Sequence, residues 1–159
     1  MTVWGALAGG FVGTLVLTTI LRASSEMRLT RIDLPFLLGT VVTKDRLLAK
    51  LIGYVFHALF GFAFAVGYFL ILSAIGKAGA LPGALLGLLH GAVVSTIALE
   101  LLPIIHPRMG TLFTSAGETA LLEPPGFLML NYGRATPAVT IVAHVCYGAI
   151  VGWFTAHGV

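Results

Sequence analysis

The run Leu51-Ile-Gly-Tyr-Val-Phe-His-Ala-Leu-Phe-Gly-Phe-Ala-Phe-Ala-Val-Gly-Tyr-Phe-Leu-Ile-Leu72 passes 22 residues without an acid, a lysine or an arginine. As a helix it would be roughly 33 Å long, which matches a hydrocarbon core of about 30 Å. Lipid offers no partners to backbone amides, so a run at this depth forms a helix or part of a closed barrel. The absence of strand alternation excludes the barrel. Working outward, three more stretches reach spanning length: Val3 to Leu21, Leu81 to Ile105 and Pro137 to Phe154. The chain is 58% hydrophobic and 9% charged over 159 residues, with a mean hydropathy of +1.01. A soluble domain of this size cannot bury that much apolar surface. The expected fold is all-α, a single polytopic membrane domain over residues 1–159 with four transmembrane helices.

The cations give an orientation. Arg22, Arg28, Arg31, Lys44, Arg46 and Lys50 fall between spans one and two, Arg108 and Arg134 between spans three and four, and only Lys77 falls on the other side. The positive-inside bias therefore predicts cytoplasmic loops at 22–50 and 106–136 and both termini outside. It also accounts for the net charge of +3 without nucleic acid. No basic region precedes the first span and Arg22-Ala-Ser-Ser25 is a poor cleavage site, so that span is read as retained. Cys146 is the only cysteine, which excludes an intrachain disulfide and an all-cysteine metal site. The first loop carries an apolar insert, Leu34-Pro-Phe-Leu-Leu-Gly39, and is expected to lie in the membrane interface against lipid headgroups. The second loop, with Leu121, Leu122 and Phe127 to Leu130 set around Glu118, Glu123 and Pro124-Pro125, is expected to be ordered.

The two halves resemble each other. An offset of 78 lays Gly5-Ala-Leu-Ala-Gly9 on Gly83-Ala-Leu-Leu-Gly87, with eight identities in 17 positions. An offset of 87 lays His57-Ala-Leu-Phe-Gly61 on His144-Val-Cys-Tyr-Gly148. Two tandem helical hairpins, 1–78 and 79–159, follow as parallel repeats about a pseudo-twofold axis along the membrane normal. Gly5, Gly9 and Gly13, like Gly83, Gly87 and Gly91, recur every four residues and so share one helix face. These stripes are expected to pack span one on span three near the axis, with a homodimer face as the alternative.

Ionisable groups at depth are costly, which singles out His57, His144 and Glu100 as candidate ligands or relays. All three are expected at one depth near the cytoplasmic side, and the histidine rings are expected to face protein. Glu100 has a structural alternative, an ion pair with Arg22, and His90 lies deeper, toward the outer side, as a secondary candidate that need not belong to the group. Each matched histidine has small neighbours one turn away, Gly53 and Gly61 beside His57, Thr140 and Gly148 beside His144. Four uses are open: ordinary interhelical hydrogen bonding, a zinc or iron site completed by Glu100, Asp33 or Glu123, axial ligation of a haem, and proton relay or transport. His106-Pro-Arg108 and Asn131-Tyr-Gly-Arg134 read as punctuation at span ends. No phosphate loop, nucleophile elbow, His-Glu-x-x-His helix or dinucleotide fingerprint occurs, so the sequence offers an enzyme no support.

The stretch His57-Ala-Leu-Phe-Gly-Phe-Ala-Phe-Ala-Val-Gly-Tyr68, followed by a Gly-rich span containing His90, resembles a pattern in YagU-like and related bacterial inner-membrane proteins of unknown function. The resemblance covers about a third of the chain, implies a bacterial membrane location and supplies no activity. Three function classes remain, in this order: a small binding or transport module built on the His/Glu depth, a structural or accessory subunit of a larger membrane complex, and a membrane enzyme.

Overall fold

The computed structural model describes residues 1–110 and 122–158. Its helices are α1 (Val3–Glu26), α2 (Leu34–Gly39), α3 (Arg46–Ala74), α4 (Ala80–Val93), α5 (Leu102–Ile105) and α6 (Thr136–His157). A π-helical turn, Val94–Ala98, continues α4, and a 3-10 segment, Phe127–Tyr132, leads into α6. The protein is all-helical in the described residues, and α1, α3, α4 with its π turn, and α6 are each long and apolar enough to cross a membrane. The expected order of the second loop concerns in part residues 111–121, which lie outside the described residues.

Local chemistry sets the helix starts. Thr2, Asp33 and Asp45 each accept a backbone N–H from the first turn of the helix that follows, at 3.0, 3.1 and 2.8 Å. Between 22% and 44% of each span is buried, and the outer faces carry exposed Trp4, Leu81, Leu85 and Leu89. Hydrocarbon is the solvent that such faces suit.

Helix α6 is the hub. It packs most extensively on α4 and on α1, whereas α3 packs on α2 and α1 and touches α6 and α4 only sparsely. Both glycine stripes serve this hub. A Cβ on Gly87 would land on the His144 carbonyl, and one on Gly83 on the Gly148 carbonyl. On the other side, a Cβ at Gly9 would lie 2.9 Å from Val151 and one at Gly13 2.9 Å from Tyr147. The expected contact of span one with span three is thereby corrected: the stripes meet α6 from two sides rather than each other. The reason lies in α6 itself, whose Gly148 and Gly152 offer the closest complementary surface to α4.

Two further differences concern the loops. The insert Leu34–Gly39 is a helix docked on α3 rather than a segment lying only in the interface: Gly39 abuts the Ala49 carbonyl and Gly53 the Pro35 carbonyl. The third span ends at Ala98 rather than Ile105, because the π turn and the non-helical Leu99 to Leu101 detach α5. The two loops on this side are joined. Arg31 donates its amide to the Tyr132 carbonyl at 2.6 Å, and the Thr30 and Thr136 hydroxyls lie 2.8 Å apart in a buried pair. Tyr132 donates its hydroxyl to the Glu123 carbonyl at 2.7 Å, and burial pushes its phenol up to about 12, so it stays a donor.

His106 and Arg108 clamp the end of α2. The Arg108 guanidinium donates to the Thr40 and Val41 carbonyls at 2.7 and 3.0 Å. His106 accepts the Arg108 amide at Nδ1 (3.1 Å), so its Nε2–H donates to the Leu37 carbonyl, also at 3.1 Å. Protonation would turn Nδ1 into a donor facing a donor. Burial holds His106 below the usual imidazole range, and Arg108 adds to the lowering against the opposing Leu37 carbonyl. A depressed native pKa means that the stabilisation is complete above about 6.5 and is lost as pH falls through the native value. Protection of the α2 amides, taken as the exchange rate relative to the intrinsic rate at each pH, should therefore fall on acidification from pH 7.5 to 5 in the wild type and fall less in His106→Gln. An equal acid response in both would show that another group controls α2.

Candidate functional site

Three histidines from three spans line one cavity of about 140 Å³. His57 comes from α3, His90 from α4 and His144 from α6. The helix ends explain why His90 joins them. With α4 ending its membrane passage at Ala98, His90 lies eight residues in, and His144 lies eight residues from the start of α6. Both are therefore about 12 Å from their helix ends. Their rings meet edge to face with centroids 4.7 Å apart. Sequence reading left His90 deeper and optional to the group; it stands beside His144 because the third span ends at Ala98.

The same shift removes Glu100 from the group. It lies beyond the π turn and outside the cavity lining, with Oε1 buried and unpartnered among the described residues. Its expected partner Arg22 pairs instead with Glu26 at 2.8 Å. Asp33 caps α2 and binds Lys50 at 2.8 Å, and Glu123 binds Arg31 at 3.3 Å. No three His, Cys, Asp or Glu side chains among the described residues stand close enough to hold a metal. The carboxylate-completed metal site is thus not assembled by these residues. A haem fits no better, since a cavity near 150 Å³ accommodates a guest the size of benzene rather than a macrocycle.

Hydrogen bonds fix the tautomers of two rings. Thr18 donates its hydroxyl to the Thr14 carbonyl at 2.7 Å, so at 3.0 Å from His57 Nδ1 it can only accept. His144 Nδ1 faces the Thr140 carbonyl at 2.8 Å and donates to it. In the neutral imidazoles the lone pair therefore sits on Nε2 of His57 and of His144. Neither Nε2 has a partner among the described residues, and neither is fully enclosed by protein atoms. Both residues are 8% exposed.

The remaining wall is apolar and uncharged; no Asp, Glu, Lys or Arg lines it. Leu34 and Leu38 of α2 close one end with Met129, while Phe60, Phe64 and Tyr147 supply aromatic faces. Tyr147 reaches across to donate to the Gly61 carbonyl at 2.6 Å. Phe64 packs on His90 with centroids 4.1 Å apart, and the Tyr68 hydroxyl lies 3.3 Å from His90 Nδ1. These contacts bridge α3 and α4 on the far side from α2. Nearer α2 the helices α3 and α4 share few contacts, and the cavity lining there includes exposed Phe60 and half-buried Val94 of the π turn. Sequence reasoning missed Met129, Tyr147 and the α2 leucines, since none carries a motif.

No protein-family model matches the chain, and neither a curated protein nor a solved structure matches it.

Proposed function

We propose that the protein is a small membrane-embedded binding module that takes a neutral, lipid-soluble molecule through the α3–α4 seam into the His57/His90/His144 cavity. The observation that carries this reading is the pairing of an uncharged apolar wall with two unspent imidazole lone pairs at membrane depth. Apolar sites with few convergent polar groups are the usual form of small-molecule pockets. Entry between α3 and α4 suits a ligand dissolved in the bilayer. The cation bias supports a bacterial cytoplasmic membrane with both termini outside and the α2 side cytoplasmic. The matched halves support an ancestral hairpin duplication in which the second hairpin has come to supply the hub.

The test is extraction of the purified chain with organic solvent, followed by mass spectrometry. Wild type should retain one neutral lipid-soluble compound near one per chain, and Val94→Trp, which fills the seam, should lose it while melting as the wild type does once freed of the compound. A chain without such a compound that is recovered in a defined larger complex, with Val94→Trp assembling equally well, would favour the accessory-subunit reading instead.

A further inference from the structure

We infer that the ligand is a hydroxyl-bearing aromatic ring, a lipid-soluble phenol or hydroquinone that donates a hydroxyl proton to Nε2 of His144 or of His57. The inference rests on reading the cavity as a ligand site and names the ligand's chemistry. Its basis is an inventory of protons. Thr14 donates its hydroxyl to the Gly10 carbonyl at 2.7 Å, Tyr147 to the Gly61 carbonyl, and the Nδ1–H groups of His57 and His144 to Thr18 and Thr140. The one uncommitted proton near the histidines belongs to the Tyr68–His90 pair, which holds two protons and shares one contact. What His57 and His144 present to a guest is lone pairs. A guest rewarded by lone pairs is a cation or a hydrogen-bond donor.

Three observations select the neutral donor. No carboxylate lines the cavity to balance a cation, and burying an uncompensated charge at membrane depth is costly. No three side chains of the His, Cys, Asp and Glu type among the described residues, the three histidines included, converge closely enough to hold a metal. A carboxylate or phosphate guest would meet lone pairs with lone pairs. The ring follows from shape: a volume of about 140 Å³ suits a six-membered ring, and the wall sets the rings of Phe60, Phe64, His90 and Tyr147 around it. An alkyl tail on such a ring would leave through the seam between Phe60 and Val94 into lipid.

The full chain in detergent should be titrated with 4-heptylphenol, with its methyl ether, and with 1-heptanol, following binding by calorimetry. The ether keeps the ring and tail and lacks only the proton, so the phenol should bind about tenfold more tightly. The phenol has a single hydroxyl proton, so whichever of His144→Phe and His57→Phe removes its acceptor should abolish that preference while leaving the affinity for the ether nearly unchanged; a preference kept in both variants overturns the assignment of the acceptor. Equal affinity for phenol and ether overturns the donor inference and leaves the binding reading standing. Heptanol matching the phenol overturns the aromatic assignment. Failure of all three to bind wild-type protein freed of its retained compound overturns the aromatic-donor inference, and the solvent extraction decides the binding reading separately. Should the phenylalanine variants not fold, the wild-type comparison of phenol with ether decides alone.

Discussion

Gly87→Leu should yield no folded, monodisperse protein in detergent, whereas Gly67→Ala should melt at or slightly above the wild-type temperature. Both positions are helical glycines in apolar spans, so composition alone predicts similar effects. Their surroundings differ. A Cβ at Gly87 would coincide with the His144 backbone carbonyl and would come within 2.9 Å of the Val145 backbone, while one at Gly67 meets nothing within 4 Å. Backbone cannot rotate away as a side-chain tip can, so the added atoms must push α4 off α6. Overpacking of a flexible core costs about 1–3 kcal/mol, and a backbone clash belongs at or above the upper end. That is a large share of a total stability of about 5–15 kcal/mol. The loss falls on the most extensive helix contact in the molecule and on the wall that holds His90 against His144. At Gly67 the methyl group removes glycine's excess backbone freedom, worth about 0.5–1 kcal/mol in favour of the helix. Size-exclusion profiles and melting curves of the two variants read the contrast directly. Wild-type melting of Gly87→Leu would mean that α4 and α6 are not packed as described.

The same pair of helices marks where sequence reading succeeds and where it stops. Spanning length and the absence of charge are sums over some twenty residues, so four membrane helices were legible from composition along the chain. Depth is a difference between two boundaries, and one boundary was hidden. Leu99 to Ile105 carries Leu99, Leu101, Leu102, Ile104 and Ile105 and so reads as a continuation of the span, a reading that counts the breaking signals Glu100 and Pro103 inside it, while the π turn at Val94 has no signature in composition. Counting from Ile105 put Glu100 inside and left His90 too deep; counting from Ala98 reverses both. The glycine stripes were legible as packing faces, yet a stripe does not name its partner. That choice was made by Gly148 and Gly152 on α6, of which the repeat match had paired Gly148 with Gly61 and had not touched Gly152. His57 and His144 were visible as polar residues at membrane depth, whereas the Thr18 and Thr140 contacts that orient their lone pairs depend on helix rotation.

Met129→Ala should lower stability by about 2–5 kcal/mol, the usual cost of truncating a buried methionine, and Leu128→Gly should be neutral or stabilising. Met129 is fully buried at the cavity end, where the Thr140 hydroxyl lies 4.0 Å from its sulfur. To place it there, Leu128 and Met129 both adopt left-handed backbone, with φ of 54° and 58°. For residues other than glycine this conformation costs about 1–2 kcal/mol each, so the turn persists only because its surroundings over-determine it. Met129 donates its amide to the Gly126 carbonyl at 2.7 Å, Asn131 binds the Pro125 and Pro124 carbonyls at 3.1 and 3.0 Å, and Arg31 holds the Tyr132 carbonyl. Leu128 is only partly buried, so glycine there releases strain and gives up little packing. At Met129 the balance reverses, because alanine keeps the strained backbone and loses the side chain that justifies it. The vacated volume adjoins the phenol site, so Met129→Ala should also admit a ring bearing an extra methyl group that the wild type rejects. Melting of both variants, with binding of 4-heptylphenol and its ring-methylated analogue, tests the two effects together. A neutral Met129→Ala variant would show that the turn is held by its hydrogen bonds alone and that the methionine does not form the cavity's floor.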